Sequence, residues 1–187
     1  MQGNPLINEP EAYEKLQIVL ATHQFDALSK ITPADIFIVA VPTPLNTEKT
    51  ADLSYIWSAV ESIATVLQPA NLVLIESTIP VGTTARIAAE LQKITSLNPK
   101  KDFFIAHCPE RVLPGNIFHE LKTNDRIIGG FTQEASQKAQ EFYQGFITSS
   151  CYLTDDQTAE MVKLIENSSR DVELAFAHEI ANMAQSK

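Results

Sequence analysis

The run Ile36-Phe-Ile-Val-Ala-Val41, entered from Asp35 and closed at once by Pro42-Thr-Pro44, constrains this chain more than any other feature. Six apolar residues without polar alternation read as a strand buried on both faces, and such strands belong to parallel sheets covered by helices. The prolines cannot continue a central strand and turn the chain into a loop. The pattern recurs. Leu72-Val-Leu-Ile75 ends at Glu76-Ser77-Thr78, and Phe103-Phe-Ile-Ala106, entered from Asp102, ends at His107-Cys-Pro-Glu110. Shorter runs, Arg126-Ile-Ile128 before Gly129-Gly130 and Cys151-Tyr-Leu153, predict two further strands.

Helical spacing fills the gaps. Tyr13, Leu16, Val19 and Leu20 share one face of a predicted helix over 9–21, and a second covers 53–67, with Asp52 as its N-cap and Pro69 beyond its end. Further helices are predicted over 83–93 and 133–146, and one long helix over 157–184, which contains neither Gly nor Pro. Strands alternating with helices predict an α/β domain with a parallel sheet over 1–154, followed by a long helix over 155–187. The chain opens on a helix and contains no Gly-x-Gly-x-x-Gly. The pattern is therefore that of the second half of a doubly wound, Rossmann-like domain plus a connecting helix.

Composition narrows the partners. Lys and Arg total 14 against 23 Asp and Glu, for a net charge of −9, which argues against broad binding to nucleic acid or an anionic membrane surface. No apolar run approaches the ~20 residues that span a bilayer, and residues 1–10 carry no basic-then-apolar leader. Two cysteines without CxxC spacing predict no disulfide framework and suit a reducing cytoplasm.

In a parallel α/β sheet, ligands sit at the carboxyl ends of strands. Those ends carry Val41, Pro42 and Thr43, then Ser77 and Thr78, then the loop from His107 to Gly115. Ser77 and Thr78, running through Pro80 and Gly82 into a helix, either present hydroxyls and N–H groups to a ligand or cap a turn. Glu110 reads equally as a proton acceptor and as half of a surface ion pair with Arg111. His107, Cys108 and Glu110 lack metal-ligand spacing, so no metal site is expected, and Cys108 reads as a buried strand residue and not a reactive thiol. On the long helix Lys163, Asn167 and Arg170 share a face by their spacings of four and seven, as a solvated stripe also would. Met161, Val162, Leu164, Ile165, Leu174, Phe176 and Ile180 make the rest of that helix apolar over a wide arc, which predicts packing on its own domain and on a partner.

Six segments in this order resemble the UDP-glucose/UDP-N-acetylmannosamine dehydrogenase family. They are Ala34 to Pro44, Ala51-Asp-Leu53, Glu76-Ser-Thr-Ile-Pro-Val-Gly82, Cys108-Pro-Glu-Arg-Val-Leu-Pro-Gly115, Asn124-Asp-Arg-Ile-Ile-Gly-Gly130 and Thr158-Ala-Glu-Met-Val-Lys-Leu-Ile-Glu-Asn167. The Cys108–Gly115 loop and Glu166-Asn-Ser-Ser-Arg-Asp171 are closer to the N-acetylmannosamine branch. The resemblance implies a two-step oxidation of a UDP-sugar C6 alcohol to the acid with two NAD, through an aldehyde captured by a cysteine and a thioester that is hydrolysed. It implies that Thr78 lies by the nicotinamide and positions a water, and that Glu110 is the base of the hydrolysis. Lys163 would stabilise oxyanion charge, and Asn167 would support the same oxygen and the water. Val41, Pro42, Thr43 and Ser77 would border NAD. Arg111, Val112 and Leu113, mainly through backbone, and Arg170 would line the sugar-nucleotide pocket. The long helix would form a homodimer interface.

The same resemblance places a Gly-rich strand–turn–helix before residue 1 and a Gly-Gly-x-Cys segment after residue 187. Neither Cys108 nor Cys151 has the nucleophile's context, and Pro114 stands where the glucose branch has a second glutamate. The expectation is a central fragment with little or no NAD reduction by itself. Two other readings remain: a hydroxyacid-type NAD dehydrogenase, disfavoured by the Pro-Glu-Arg-Val-Leu-Pro-Gly loop, and a non-catalytic dimerisation module built on the long helix.

Overall fold

A computed structural model describes residue 9 and residues 11–185. Residues 1–8 and 10, where no leader was expected, and the last two residues of the long helix segment lie outside the described residues. The elements are α1 (Ala12–Ala21), β1 (Ile36–Val39), α2 (Ser54–Ala64), β2 (Leu72–Ile75), α3 (Thr83–Thr95), β3 (Phe104–His107), α4 (Ile117–Thr123), β4 (Arg126–Gly130), α5 (Gln133–Gln144), β5 (Cys151–Asp155) and α6 (Asp156–Gln185). They form one five-stranded sheet in the order β1-β2-β3-β4-β5.

Both faces of the sheet are covered, which is why its central strands carry no polar alternation. Phe37, Val39, Val73, Ile75 and Ile105 point to one side and pack with Ile56, Val60 and Ile63 of α2 and Ile87 and Leu91 of α3. Leu72, Leu74 and Ala106 point to the other and pack with Ala139 and Tyr143 of α5. Every residue of β2 is buried. In β1, at the sheet's edge, Ile38 is 47% exposed.

Two features depart from the sequence-based expectation. The first is α4, a single short helix inside the 108–125 connection, where only a loop was expected. Its Asn116 N-cap makes no side-chain cap bond, so the start signal is weak. The second concerns direction. β1, β2 and β3 are parallel, and β5 is parallel to β4, but β4 runs antiparallel to β3. The sheet is mixed, not wholly parallel. A parallel return needs a crossover that carries the chain back along the sheet, usually on a helix. Here the connection stays at the carboxyl end of β3 and the chain simply reverses.

That reversal has a functional consequence. Only Ala106↔Gly130 and His107↔Gly129 are paired between β3 and β4, so β4 begins beyond the end of β3. The same register sets Arg126, the first residue of β4, beside Glu110. At the other end of β4, helix α6 approaches very closely: a Cβ built on Gly129 would lie 2.4 Å from the Ala159 Cβ and 2.4 Å from the Asp155 carbonyl oxygen. Glycine is required there for close packing. α6 itself is started by Asp155, whose carboxylate accepts the Thr158 N–H at 2.9 Å and the Thr158 hydroxyl at 2.7 Å.

Candidate active site

The loops after β1 and β2 are stitched together by hydroxyls. The Ser77 Oγ accepts the Val41 N–H and donates to the Val41 carbonyl, each at 2.8 Å, and the Thr43 hydroxyl donates to the Thr78 carbonyl at 2.9 Å. Ser77 is buried and fully used in this role. Pro42 is exposed, Val41 and Thr43 are half-buried, and the Thr78 hydroxyl has no hydrogen-bond partner among the described residues.

The expectation that this turn also offers backbone N–H groups to a ligand is corrected. Gly82, at φ 87°, is the N-cap of α3 and has no side chain with which to cap it. The free donors of the first turn are taken by Glu160 of α6, whose carboxylate accepts Gly82 N–H at 2.5 Å, Thr84 N–H at 2.7 Å and the Thr84 hydroxyl at 2.6 Å. Of the groups in this turn, the Thr78 side chain is what remains for a ligand.

Glu110 lies at the end of the β3 loop and is held from several sides. Its Oε1 accepts the Arg111 N–H at 2.6 Å and the Val112 N–H at 3.1 Å. Its Oε2 lies 3.4 Å from the Arg126 guanidinium. Arg126 is buried, stacks over the Tyr143 ring at 4.4 Å, and lies 3.9 Å from Glu76. Tyr143 in turn donates to Glu76 at 2.6 Å. Burial raises the Glu76 carboxyl above its ordinary value, with the negative charge of Glu110 acting in the same direction against Tyr143 and Arg126. One buried cation therefore serves two carboxylates. Nothing in the residue order signals this, because Arg126 reads there as the first residue of a strand.

Arg111 does not pair with its neighbour Glu110. Its guanidinium reaches α6, where Nη2 lies 2.6 Å and Nε 3.1 Å from the two carboxylate oxygens of Glu166, a two-point contact, and it also donates to the Asp125 carbonyl at 2.9 Å. The Leu113 N–H is taken by Glu120 at 2.8 Å. With the amides of Arg111, Val112 and Leu113 all engaged inside the chain, any contact of this stretch with a ligand falls to carbonyls and side chains.

Helix α6 closes the site. The Lys163 ammonium donates to the Glu110 carbonyl at 2.5 Å. Burial lowers the Lys163 pKa, opposed by Glu166 and Glu110 and assisted by Arg170 and Arg111. Lys163, Glu166 and Arg170 line one side of an open groove of about 460 Å³, with Arg111 opposite. Asn167, one turn beyond Lys163, is half-buried, and its amide makes no hydrogen bond among the described residues. Lys163 and Glu110 are thus brought into contact, and Arg170 joins the groove. The Glu160 cap ties α6 to the start of α3, four residues beyond Thr78, and no hydrogen bond among the described residues joins Thr78 to Glu110, Lys163 or Asn167.

The remaining candidates have structural roles. Cys108 is fully buried and its thiol is pushed far up by that burial. Burial also raises Cys151. His107 is fully buried with neither ring nitrogen well bonded, and burial together with the Lys163 charge lowers its pKa to about 4, so it is neutral near pH 7. Among the described residues no group of three or more His, Cys, Asp or Glu is placed to hold a metal ion, and no helix is long and apolar enough to cross a membrane.

The sequence model of the UDP-glucose/GDP-mannose dehydrogenase family, NAD-binding domain, matches residues 1–147. The chain belongs to this family. It is 49% identical over 160 residues to a UDP-N-acetyl-D-mannosamine dehydrogenase of Methanocaldococcus jannaschii, covering 84% of this chain and 36% of that protein. It is 44% identical over 182 residues to an NDP-N-acetyl-D-galactosaminuronic acid dehydrogenase of Ralstonia solanacearum, covering 94% and 43%. Among solved structures, the UDP-N-acetyl-D-mannosamine dehydrogenase of Pyrococcus horikoshii superposes with a TM-score of 0.92 at 43% identity, covering 98% of this chain and 44% of that one. The chain spans less than half the length of these relatives. Its family is one of oxidoreductases, and NAD is the cofactor of the domain that the family model describes.

Toward that cofactor the strand ends present the Thr78 hydroxyl, which makes no hydrogen bond among the described residues, and the Val41–Pro42–Thr43 loop, of which Pro42 is exposed. The N-terminus of α3, which would suit a diphosphate, already holds a carboxylate.

Proposed function

We propose that this chain supplies part of the oxidation site of an NAD-dependent nucleotide-sugar 6-dehydrogenase acting on a UDP-sugar, with UDP-N-acetyl-D-mannosamine as the substrate of first choice. The observation that carries the reading is the Lys163–Glu110 contact, which joins α6 to the β3 loop across 53 positions of sequence. Two relatives named above are UDP-N-acetyl-D-mannosamine dehydrogenases, and the Cys108–Gly115 loop favours the same sugar.

NAD, when bound, accepts the hydride. The chain's own residues bind and orient. Lys163 brings a positive charge to the place where a C6 oxygen would gain negative charge, and its partial burial strengthens that interaction. Asn167 offers an unused amide to the same oxygen. Glu110, partly exposed and ringed by donors, is the carboxylate that takes a proton from water in ester hydrolysis. Thr78 offers its hydroxyl to that water and to the nicotinamide. Val41, Pro42, Thr43 and Ser77 shape the cofactor ledge, and Arg111, Val112, Leu113 and Arg170 the sugar-nucleotide groove. A thiol nucleophile is not among this chain's roles, since Cys108 is sealed in the core. The reaction suits a reducing cytoplasm.

Titration calorimetry of the chain with UDP-N-acetyl-D-mannosamine and NAD tests this directly. Binding of the UDP-sugar, lost in Lys163→Ala and Asn167→Ala, is the expected result. No binding of either ligand would sink the reading. Steady NADH production by the 187-residue chain alone would contradict the roles given to its cysteines.

A second property rests on a separate observation. Residues 168–185 of α6 are exposed all round, and Met161, Ile165, Val172, Phe176 and Ile180 form one apolar stripe along it. We propose that two copies pair through this stripe. A light-scattering mass of about twice 20.7 kDa would support the pairing, and a monomeric mass at high concentration would refute it.

A further inference from the structure

Glu160 is fully buried, yet no apolar logic places it there. Burying a carboxylate is costly unless donors replace its water. Here they do, and all of them come from one place: the Gly82 and Thr84 N–H groups and the Thr84 hydroxyl, at the start of α3. A helix N-terminus carries roughly half a positive charge, so a carboxylate on it completes both the hydrogen bonds and the electrostatics. Pro80 has no N–H to give and Gly82 has no side chain, so the local sequence cannot cap this helix for itself.

The bond joins two segments with separate duties. Upstream of Gly82, the same turn carries Thr78. Three residues beyond Glu160, on the same side of α6, Lys163 donates to the Glu110 carbonyl. Of the α6 side chains Asp156, Ala159 and Glu160 are buried, and of these Ala159 alone is apolar; Val162 and Leu164 are half-buried, while Met161 and Ile165 are exposed. Ala159 against Gly129 fixes how near the helix comes to the sheet, but one methyl group cannot fix where it slides or turns.

We propose that Glu160 is a positioning residue whose cap on α3 sets the axial place and rotation of α6, and so holds Lys163 over Glu110 in line with the Thr78 turn. The functional meaning of this coupling rests on the dehydrogenase reading above. The coupling itself is a property of the folded chain and is measurable without turnover.

The test follows the Lys163 side chain by NMR in the lysine-labelled chain, with its signal assigned from the spectrum of Lys163→Met. The charged and titratable groups facing it are Glu110, Arg111, Glu166, Arg170 and His107. Glu160→Gln keeps the size of the side chain but sets an NH2 group against one of the α3 donors. The Lys163 signal is expected to move towards that of a free lysine, with its lowered pKa rising as the burial that lowers it is relieved. Gly82 and Thr84 amide exchange is expected to quicken at least about tenfold. In Glu160→Ala, added formate is expected to restore the parent Lys163 signal by filling the vacated place. Thr84→Val removes one of the three bonds and is expected to move Lys163 the same way by less; it decides the matter if the Glu160 variants do not fold. A folded Glu160→Gln or Thr84→Val chain with an unmoved Lys163 signal, even one that melts earlier, would overturn the proposal and leave a local cap only. UDP-sugar shifts at Thr78 and Asn167 in the parent chain separate the two claims. Their absence sinks the dehydrogenase reading while a moving Lys163 signal in Glu160→Gln keeps the coupling.

Discussion

The two halves of α6 belong to one uninterrupted helix but live in different surroundings. Its first three turns, 156–167, lie against the sheet and are tied down by Asp155, Glu160, Lys163 and Glu166. The remaining turns, 168–185, are exposed at every residue, Val172, Leu174, Phe176 and Ile180 among them. The difference runs against the usual expectation. The attached half is held mostly by polar groups and a glycine, and the more apolar half is exposed. Hydrophobicity along a helix says that a face will be covered; it does not say by what.

Four substitutions probe this contrast, ordered by their expected effect on unfolding free energy. Gly129→Val should be the most damaging, since even its Cβ would sit 2.4 Å from Ala159 and the Asp155 carbonyl. A loss of about 3 kcal/mol in urea denaturation is expected, because neither strand nor helix can retreat cheaply. A loss under about 1 kcal/mol would mean that α6 is not seated on β4 as described.

Arg126→Met comes second. It leaves Glu76 and Glu110 without their shared cation, and removing one partner of a buried pair costs roughly 3–5 kcal/mol. The Glu110 side chain is 34% exposed, so about 2–3 kcal/mol is expected near pH 7. The loss should shrink in acid, where the buried Glu76 protonates first, its pKa being raised by burial. A pH-independent loss would show that the cation stabilises through its contact with the Tyr143 ring alone.

Asp156→Asn is a smaller change of opposite sign. Burial, then the neighbouring Glu160, raises the Asp156 carboxyl above 3.8, so its charged form is disfavoured in the fold. The stability linked to this group is present in acid and lost as pH rises through the raised value. The asparagine should therefore melt slightly higher than the parent at pH 7, with the advantage fading towards pH 4. A variant that melts lower at pH 7 would show that the Asp156 charge is needed at the start of α6.

Phe176→Glu, in the exposed half, should leave the unfolding free energy of the single chain within about 0.5 kcal/mol, as for any exposed site. Its expected effect is on mass: the light-scattering value should fall to that of one chain. An unchanged dimer would place the interface elsewhere.

Most of the architecture was legible from residue order. Continuous apolar runs ending in Pro42, Ser77 and Pro109 marked the strands and put their loops at one edge, since a strand covered on both faces has no room for polar positions. Residue order by itself left Thr78, Glu110 and Lys163 open between ligand contact and ordinary turn, ion-pair or solvent roles, and it was the family resemblance that singled them out; Cys108 it read as core, which its burial matches. Three things were hidden. The reversal at β4 depends on where an 18-residue connection goes, and a stretch with prolines, one αL glycine and a seven-residue helix carries no direction in its composition. Arg126 and Glu160 read as an ordinary strand start and an ordinary helical glutamate.

What the sequence determined by itself is everything set by neighbours along the chain: strand, turn and helix, and which faces must be covered. What only the tertiary structure decided is which charges meet. Arg126 comes to Glu110 because β4 reverses, and Glu160 comes to Gly82 across 78 positions because Gly129 lets α6 lie close to the sheet. Electrostatic pairing depends on distance in space, and no local pattern encodes a distance that the folded sheet alone creates.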